Sequence, residues 1–541
     1  MRSKTRIANS EEIEPLISGD STSSALLEPS RPLLDRKVTV ASLSILAVFV
    51  LATLVFPKQS SDAINAGFSF SAKWLGLFWQ GLLLATFLCA IALALTPYAK
   101  ARLGGAMKPE YGRFKWVAMI MCTLLAGGGV FWAAAEPISH YISSPPFFGT
   151  TSGDPTEAAN NALGQSFVHW GFLAWAILGS LGAIVMTHAV SKGMPLRPRT
   201  LLYPVMGRRV LTSWVGTVTD VVSILAVMAG TVGPIGFLGL QVSYGLSRLF
   251  GIPNNYGTQL IIIAVLTGVA ALSVSSGLSK GIQIMSRLNV WLALGLMAAV
   301  LVLGSAGYIF KSFIGGFGVY MQNFVPASLY QGDQGWVAGW TIFFFAWFLG
   351  YAPLMAIFVA SISRGRSVRE LILFTAVLPP IVTCFWFTVL GGTGIMFEQQ
   401  NPGSISGPLA SDGLPAVVMT IAEQLPFSGI IAVGFLVLTV MFVATTADSM
   451  SFSIAQSCTV KGTPQPKLRA AWALTMGVAA AVLISIGDGG ISALQSFIVI
   501  TAVPVGFIML PSVFAAPVFV RRMAIEQGVV GIKDPDFVRT Q

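Results

Sequence analysis

Gly339-Trp340-Thr341-Ile342-Phe343-Phe344-Phe345-Ala346-Trp347-Phe348-Leu349-Gly350-Tyr351-Ala352-Pro353 lies inside a stretch, Trp336 to Ser361, that contains no charged residue. A helix needs about 20 apolar residues to cross a bilayer, and this run is long enough. Working outward, similar runs recur: Val38 to Phe56, Leu75 to Thr96, Trp116 to Ala135, Gly164 to Val190, Trp214 to Leu240 and Thr258 to Ser276. The rest are Asn289 to Phe310, Leu371 to Met396, Ile430 to Cys458, Ala470 to Ile486 and Ile491 to Val520. The reading is an all-α membrane protein with about twelve transmembrane helices. Residues 1–36 form a cytoplasmic tail, 37–520 the transmembrane domain and 521–541 a short cytoplasmic tail.

Composition agrees. Of 541 residues, 54% are hydrophobic and 10% charged, against about 25% charged in soluble domains. With both termini inside, only Lys58, Lys73, Arg248 and Lys311 of the 32 Lys and Arg fall outside. That is the positive-inside asymmetry, and a miscounted span would invert every later loop. The net charge of +10 therefore reflects orientation beside an anionic leaflet and requires no nucleic-acid partner. The first apolar run is long for a signal peptide and has no small-residue cleavage site after it. Cys89, Cys122, Cys384 and Cys458 sit far apart in apolar surroundings and read as buried thiols. Lys311 to Tyr330 and Leu414 to Leu425 look amphipathic and are expected along the outer membrane surface.

Three embedded features carry chemistry. Gly127-Gly128-Gly129 in the third span and Gly350 with Pro353 in the eighth are helix breakers. Interruptions five spans apart suggest inverted repeats, about 116–310 and 336–520; close helix packing through small residues explains them equally. Aromatics crowd the fourth span (Trp170, Trp175) and the eighth, where Trp340, Phe344, Trp347 and Tyr351 share one helical stripe. Such faces bind a quaternary ammonium by cation–π attraction, or fill a core. The tenth span reads Thr445-Thr446-Ala447-Asp448-Ser449: hydroxyls for a hard cation, or threonines back-bonded to their own helix. Asp448, an expensive near-membrane carboxylate, is expected to form a gating ion pair with Arg364, Arg366 or Arg369. Glu136 and Asp220 read as capping or ion-pair residues, and His169 as structural. No HExxH, Walker A or GxSxG motif occurs, so an enzyme is not indicated. Transport energy must come from an ion gradient or from exchange.

These residues carry a resemblance. Phe131-Trp132-Ala133-Ala134-Ala135-Glu136-Pro137 resembles the third-span signature of the betaine/carnitine/choline transporters. His169-Trp170-Gly171 with Trp175, Gly339 to Trp347 followed by Ser361 to Glu370, and Thr445 to Ser449 resemble that family's fourth, eighth and tenth spans. The resemblance implies two leading helices plus a five-plus-five inverted repeat (the LeuT-like fold), a substrate box near mid-membrane, and often a homotrimer. It places Trp170 and Trp175, with Trp347, Phe348 and Tyr351, around the box, and Trp132 beside it. It also assigns a sodium ion to Thr445, Thr446 and carbonyls from Ala126 to Gly129. Phe348, Tyr351 and Leu178 depart from the family's usual aromatics, which lifts a sulfonium among the candidate solutes. Thr231 fits a second sodium position of the family, whereas Val227 and Pro234 stand where hydroxyl residues are usual.

The expected function is import of a betaine-like onium solute (glycine betaine, choline, carnitine or dimethylsulfoniopropionate) across the inner membrane, coupled to sodium and with no other cofactor. Proton-coupled uptake, sodium-independent exchange and a transporter-like receptor stay open as alternatives.

Overall fold

A computed structural model describes residues 6–7, 33–106, 108–125, 129–149, 153–275, 279–486 and 491–530. The expected sodium ligand Ala126, with Gly127 and Gly128, lies outside the described residues, as do most of the N-terminal tail and the chain beyond residue 530.

The chain is almost wholly helical. Helices α1 (Arg36–Val55) and α2 (Pro57–Leu95) lead. Helices α3 (Arg113–Leu125) and α4 (Phe131–Ile142) follow, then α5 (Pro155–Trp170), α6 (Phe172–Gly179) and α7 (Leu181–Ser191). Next come α8 (Trp214–Phe250), α9 (Tyr256–Ser275), α10 (Ser279–Leu303) and α11 (Ala306–Gln322). The second half holds α12 (Gln334–Ile362) and α13 (Val368–Gln400), α14 (Val417–Glu423), α15 (Ser428–Ser457), α16 (Pro466–Leu483) and α17 (Ile491–Glu526). Short polar residues open several of them. Asp35, Asp154, Ser213, Asp333 and Ser367 each accept a backbone N–H of the first turn, satisfying donors that the helix leaves unpaired.

Among the described residues, nine helices are long and apolar enough to cross a membrane, or ten if one bent pair is a single span. The sequence reading of about twelve also counted α3–α4, whose two parts are short, and α16, whose first turns carry Lys467 and Arg469. The bent pair turns by 104° between Leu288–Leu303 and Ala306–Gln322, so α11 leaves the direction of α10 and packs on α5. The Leu414 to Leu425 segment differs from expectation. Val417 to Ala422 are buried in the protein against α4 and α15, not laid on its surface.

Burial separates centre from rim. The apolar windows of α5–α7, α8 and α12 are 94%, 89% and 89% buried, against 28% for α1 and 39% for α9. The centre is therefore α5–α7, α8 and α12, with α8 packed on α12, α15 and α17.

Helix irregularities fall close to the centre. The fourth apolar segment breaks at Gly171, where ψ is −136°, and again at Ser180. A Cβ at Gly171 would stand 2.4 Å from the Phe167 carbonyl oxygen and 2.6 Å from the Tyr320 hydroxyl, so only glycine fits. The Phe172 amide freed by the break donates to Tyr320 Oη at 2.9 Å. Contrary to the expected interruption, α12 runs unbroken through Gly350 and Pro353; its irregularity is a π-turn earlier, at Ala338–Ile342. Gly350 faces Ala226 of α8, where a Cβ would make only ordinary contact at 3.6 Å or more. Further π-turns occur in α13 at Leu373–Val377 and Thr388–Gly392, the first just ahead of Pro379-Pro380, which supply no amide donors.

At one end, the backbone of Leu33–Leu34 pairs antiparallel with Thr459–Lys461 and parallel with Arg6–Ile7. The Asp35 amide donates to the Cys458 carbonyl at 2.9 Å. Beside it, Arg197 bridges Asp35 (2.9 Å) and Asp220 (2.7 Å), and Arg199 holds Asp220 at 2.7 Å. Asp220 thus takes the ion-pair role open to it in the sequence.

Candidate functional site

Trp170 is the last residue of α5, set at the Gly171 break, so its ring projects from a helix end toward α12. It meets Trp347 edge-on (centroids 5.9 Å, 80°) and Phe348 likewise (5.1 Å, 84°). Trp347 and Phe348 lie nearly parallel at 6.2 Å, and Phe387 of α13 closes on Trp170 at 5.0 Å. All three box rings are buried. Edge-to-face pairing is the favoured packing of aromatic rings and sets the planes of Trp170 and its two neighbours nearly at right angles. Tyr351 lies one turn further along α12 and is half-buried.

Helix α8 holds this wall from behind. Pro234 has no amide hydrogen, so the Gly230 carbonyl four residues earlier lacks its helical partner. That oxygen accepts the indole N–H of Trp347 at 3.0 Å and the hydroxyl of Tyr351 at 2.9 Å. The Thr231 hydroxyl donates to the Val227 carbonyl at 2.8 Å and stands 3.3 Å from Tyr351 Oη.

Two expected wall residues stand apart. Trp132 is fully buried among Phe131, Phe237, Phe343 and Phe344, one layer away from the Trp170–Trp347 contact. Trp175, on α6 beyond the break, is buried but makes no ring contact with the cluster among the described residues.

The tenth-span threonines belong to a different place. Thr445 Oγ1 donates to the Met441 carbonyl at 2.8 Å and lies 3.4 Å from the Asn289 amide nitrogen. Thr446 Oγ1 and Asn289 Oδ1 are buried with no hydrogen-bond partner. A buried polar atom without a partner costs about 1–3 kcal/mol, and an unpaired oxygen on each of two residues lining one cavity is the ligand type a hard cation takes. The Gly129 carbonyl, the other expected ligand, is taken by the Trp386 indole N–H at 2.5 Å. These residues line a cavity of about 460 Å³ between α3, α10, α13 and α15. The aromatic box is not part of its lining.

The expected partner of Asp448 is corrected. Asp448 pairs with Arg469 on α16 at 2.9 Å, not with Arg364 or Arg366. The backbone of Ser363 to Val368 binds residues 101–103, with Leu103 N to Arg366 O at 2.9 Å and Val368 N to Ala101 O at 2.9 Å. That docking carries Arg366 onto Glu370 (2.8 Å) and over the Trp116 ring (4.7 Å), and lays Arg364 along Gly104.

One cluster escaped the sequence reading. Glu136, His140 and His169 are fully buried together. Glu136 Oε1 contacts His169 Nδ1 at 2.5 Å and His140 Nε2 at 3.3 Å, and Oε2 accepts the Trp170 indole N–H at 2.7 Å. The i,i+4 spacing of Glu136 and His140 and the adjacency of His169 to Trp170 were available signals. Nothing local linked the two segments.

Comparison with known proteins follows this geometry. The model of the BCCT, betaine/carnitine/choline family transporter, matches residues 37–525. Glycine betaine transporter 2 of Vibrio parahaemolyticus is 51% identical over 488 residues, covering 90% of each chain. Glycine betaine transporter OpuD of Bacillus subtilis is 31% identical, covering 86% of this chain and 91% of its own. The ectoine/hydroxyectoine transporter of Virgibacillus pantothenticus is 30% identical, covering 88% and 95%. A solved Na+-coupled sialic acid symporter overlays with a TM-score of 0.42 and 14% identity over 79% of this chain and 81% of its own, too loose a likeness to carry an argument. The match over nearly the whole apolar region makes this chain a multi-pass membrane transporter of the betaine/carnitine/choline transporter family.

Proposed function

We propose that this protein imports a betaine-like onium solute by sodium-coupled alternating access. The observation that carries the reading is the right-angled contact of Trp170 with Trp347 and Phe348. Each available ring face attracts an onium head by about 0.5–2 kcal/mol, depending on desolvation. The relatives named for glycine betaine fit that chemistry, with glycine betaine the first solute to test. Choline, carnitine and dimethylsulfoniopropionate share the onium head. The partnerless Thr446 hydroxyl supports a sodium site separate from the box. In this reading both termini are cytoplasmic, α3–α10 and α12–α17 are the two repeats, and the halves rock around the box. Three copies form the assembly, as the family resemblance implies.

The test is uptake of labelled glycine betaine into proteoliposomes, with and without an inward sodium gradient. Choline, carnitine, ectoine and dimethylsulfoniopropionate serve as competitors. Accumulation only with sodium supports both sites. Accumulation without sodium removes the ion from the threonines, and failure of every onium compound to compete removes the cage.

A further inference from the structure

We propose that Glu136 is the fixed negative charge that gives the box its preference for cations, acting as a positioning and specificity-determining residue through Trp170. The inference rests on the onium reading above and deepens it.

Glu136 is 0% exposed. A buried carboxylate persists only when its oxygens are satisfied. Here the Trp170 indole N–H donates to it at 2.7 Å, and the ring nitrogens His169 Nδ1 and His140 Nε2 lie 2.5 Å and 3.3 Å from it. An ionised carboxylate only accepts, so it completes that donor.

The far side of His169 assigns its proton. His169 Nε2 lies 3.0 Å from the buried Thr341 hydroxyl and 3.1 Å from the Gln165 amide nitrogen. The amide nitrogen can only donate, and His169 is the partner the Thr341 hydroxyl has. With the amide nitrogen placed there, Nε2 accepts and Nδ1 carries the hydrogen toward Glu136, an assignment that leaves Gln165 Oε1 buried without a partner. Trp336 and Trp340 cover His140 at 5.5 and 4.5 Å, and the ion-pair partners of Glu136 among the described residues are these two histidines alone. With Glu136 ionised and both histidines neutral the cluster carries one negative charge, and no Lys or Arg pairs with it among the described residues.

Its connection to the box is the Trp170 indole. An N–H that donates to an anion pushes electron density toward the ring, and the ring face attracts cations through that density. The same bond fixes the angle of Trp170 against Trp347 and Phe348. A metal ion suits these ligands less well. Zinc ligands 2.0–2.1 Å from the ion stand about 3.3 Å apart, whereas Glu136 Oε1 and His169 Nδ1 share a hydrogen at 2.5 Å.

The experiment compares Glu136→Gln, Glu136→Asp and the wild type in proteoliposomes. The probes are glycine betaine and tert-butylacetate, which keeps the shape and the carboxylate but replaces the cationic nitrogen by carbon. Glu136→Gln is expected to raise the KM for glycine betaine about 10-fold, the factor that corresponds to about 1.4 kcal/mol. Its kcat should change less, and inhibition by tert-butylacetate should stay within about 2-fold. Glu136→Asp should recover part of the affinity. Binding measured by tryptophan fluorescence in detergent provides the same comparison if a variant inserts poorly. Equal losses for both probes, or no change for either, overturn the inference. If wild-type protein binds glycine betaine no better than tert-butylacetate, the onium reading itself fails, and that arm involves no variant.

Discussion

The indole N–H of Trp347 is bonded to the carbonyl of Gly230 at 3.0 Å, an oxygen left free because Pro234 has no amide hydrogen. A proline in one helix thereby orients an aromatic ring on another. Pro234→Ala restores the amide that competes for this carbonyl. We expect the KM for glycine betaine to rise about 2- to 10-fold, the range of a single net hydrogen bond, with kcat and thermal stability changed little. Uptake kinetics beside an unfolding scan check this, and an unchanged KM would detach Pro234 from the box.

Removing the ring should cost more than removing its bond. Trp347→Leu loses a ring face worth about 0.5–2 kcal/mol and the packing around it, so high-affinity uptake should disappear. Trp347→Phe keeps a face and loses the bond to Gly230, and should fall between. Retention of wild-type affinity in the leucine variant would exclude Trp347 from solute contact.

Thr446 offers a test in which stability and coupling move in opposite directions. Its hydroxyl is buried without a partner. Thr446→Val keeps the shape and removes the unsatisfied oxygen, which in the absence of sodium should leave the protein as stable or more stable by about 1 kcal/mol. If the oxygen ligates sodium, the sodium concentration for half-maximal uptake should rise by about 10-fold or more. An unaltered sodium dependence would count against the site.

Asp35 gives a pH dependence with a definite sign. Burial works to raise its pKa, but Arg197, the Val38 amide and Arg199 together hold it below the ordinary aspartate value. A lowered folded-state pKa means the stabilisation is complete above the unfolded value, about 3.9, and is lost as pH falls through the folded one. Asp35→Asn should therefore lower the unfolding temperature at neutral pH, keep that deficit down to about pH 5, and converge with wild type only in stronger acid. A deficit that grows on acidification contradicts the assignment.

Much of the architecture is readable from uncharged runs, because a lipid-facing or core helix leaves the same long signature. The residues Trp170, Trp347, Phe348 and Tyr351 could be nominated together because helical spacing and a family motif mark them. The Glu136–His169 contact, 33 residues apart, could not, since it depends on how the chain folds at Gly171. Asp448 is expected to pair with Arg364, Arg366 or Arg369, yet its partner is Arg469, 21 residues further along the chain. Gly350 and Pro353 read as a break, but the helix continues through both, from Phe343 to Ile362. Composition reveals a helix's tolerance for bending; its neighbours decide whether it bends.

The pairing of Leu33–Leu34 with Thr459–Lys461 has a practical side. It ties the segment ahead of α1 to the chain that leaves α15, the helix bearing Thr445 and Thr446. A purification tag or fluorophore placed just before Leu33 would sit against the end of α15, while one attached beyond residue 526 would follow α17. Expression vectors and labelling schemes for this protein should favour the C-terminus.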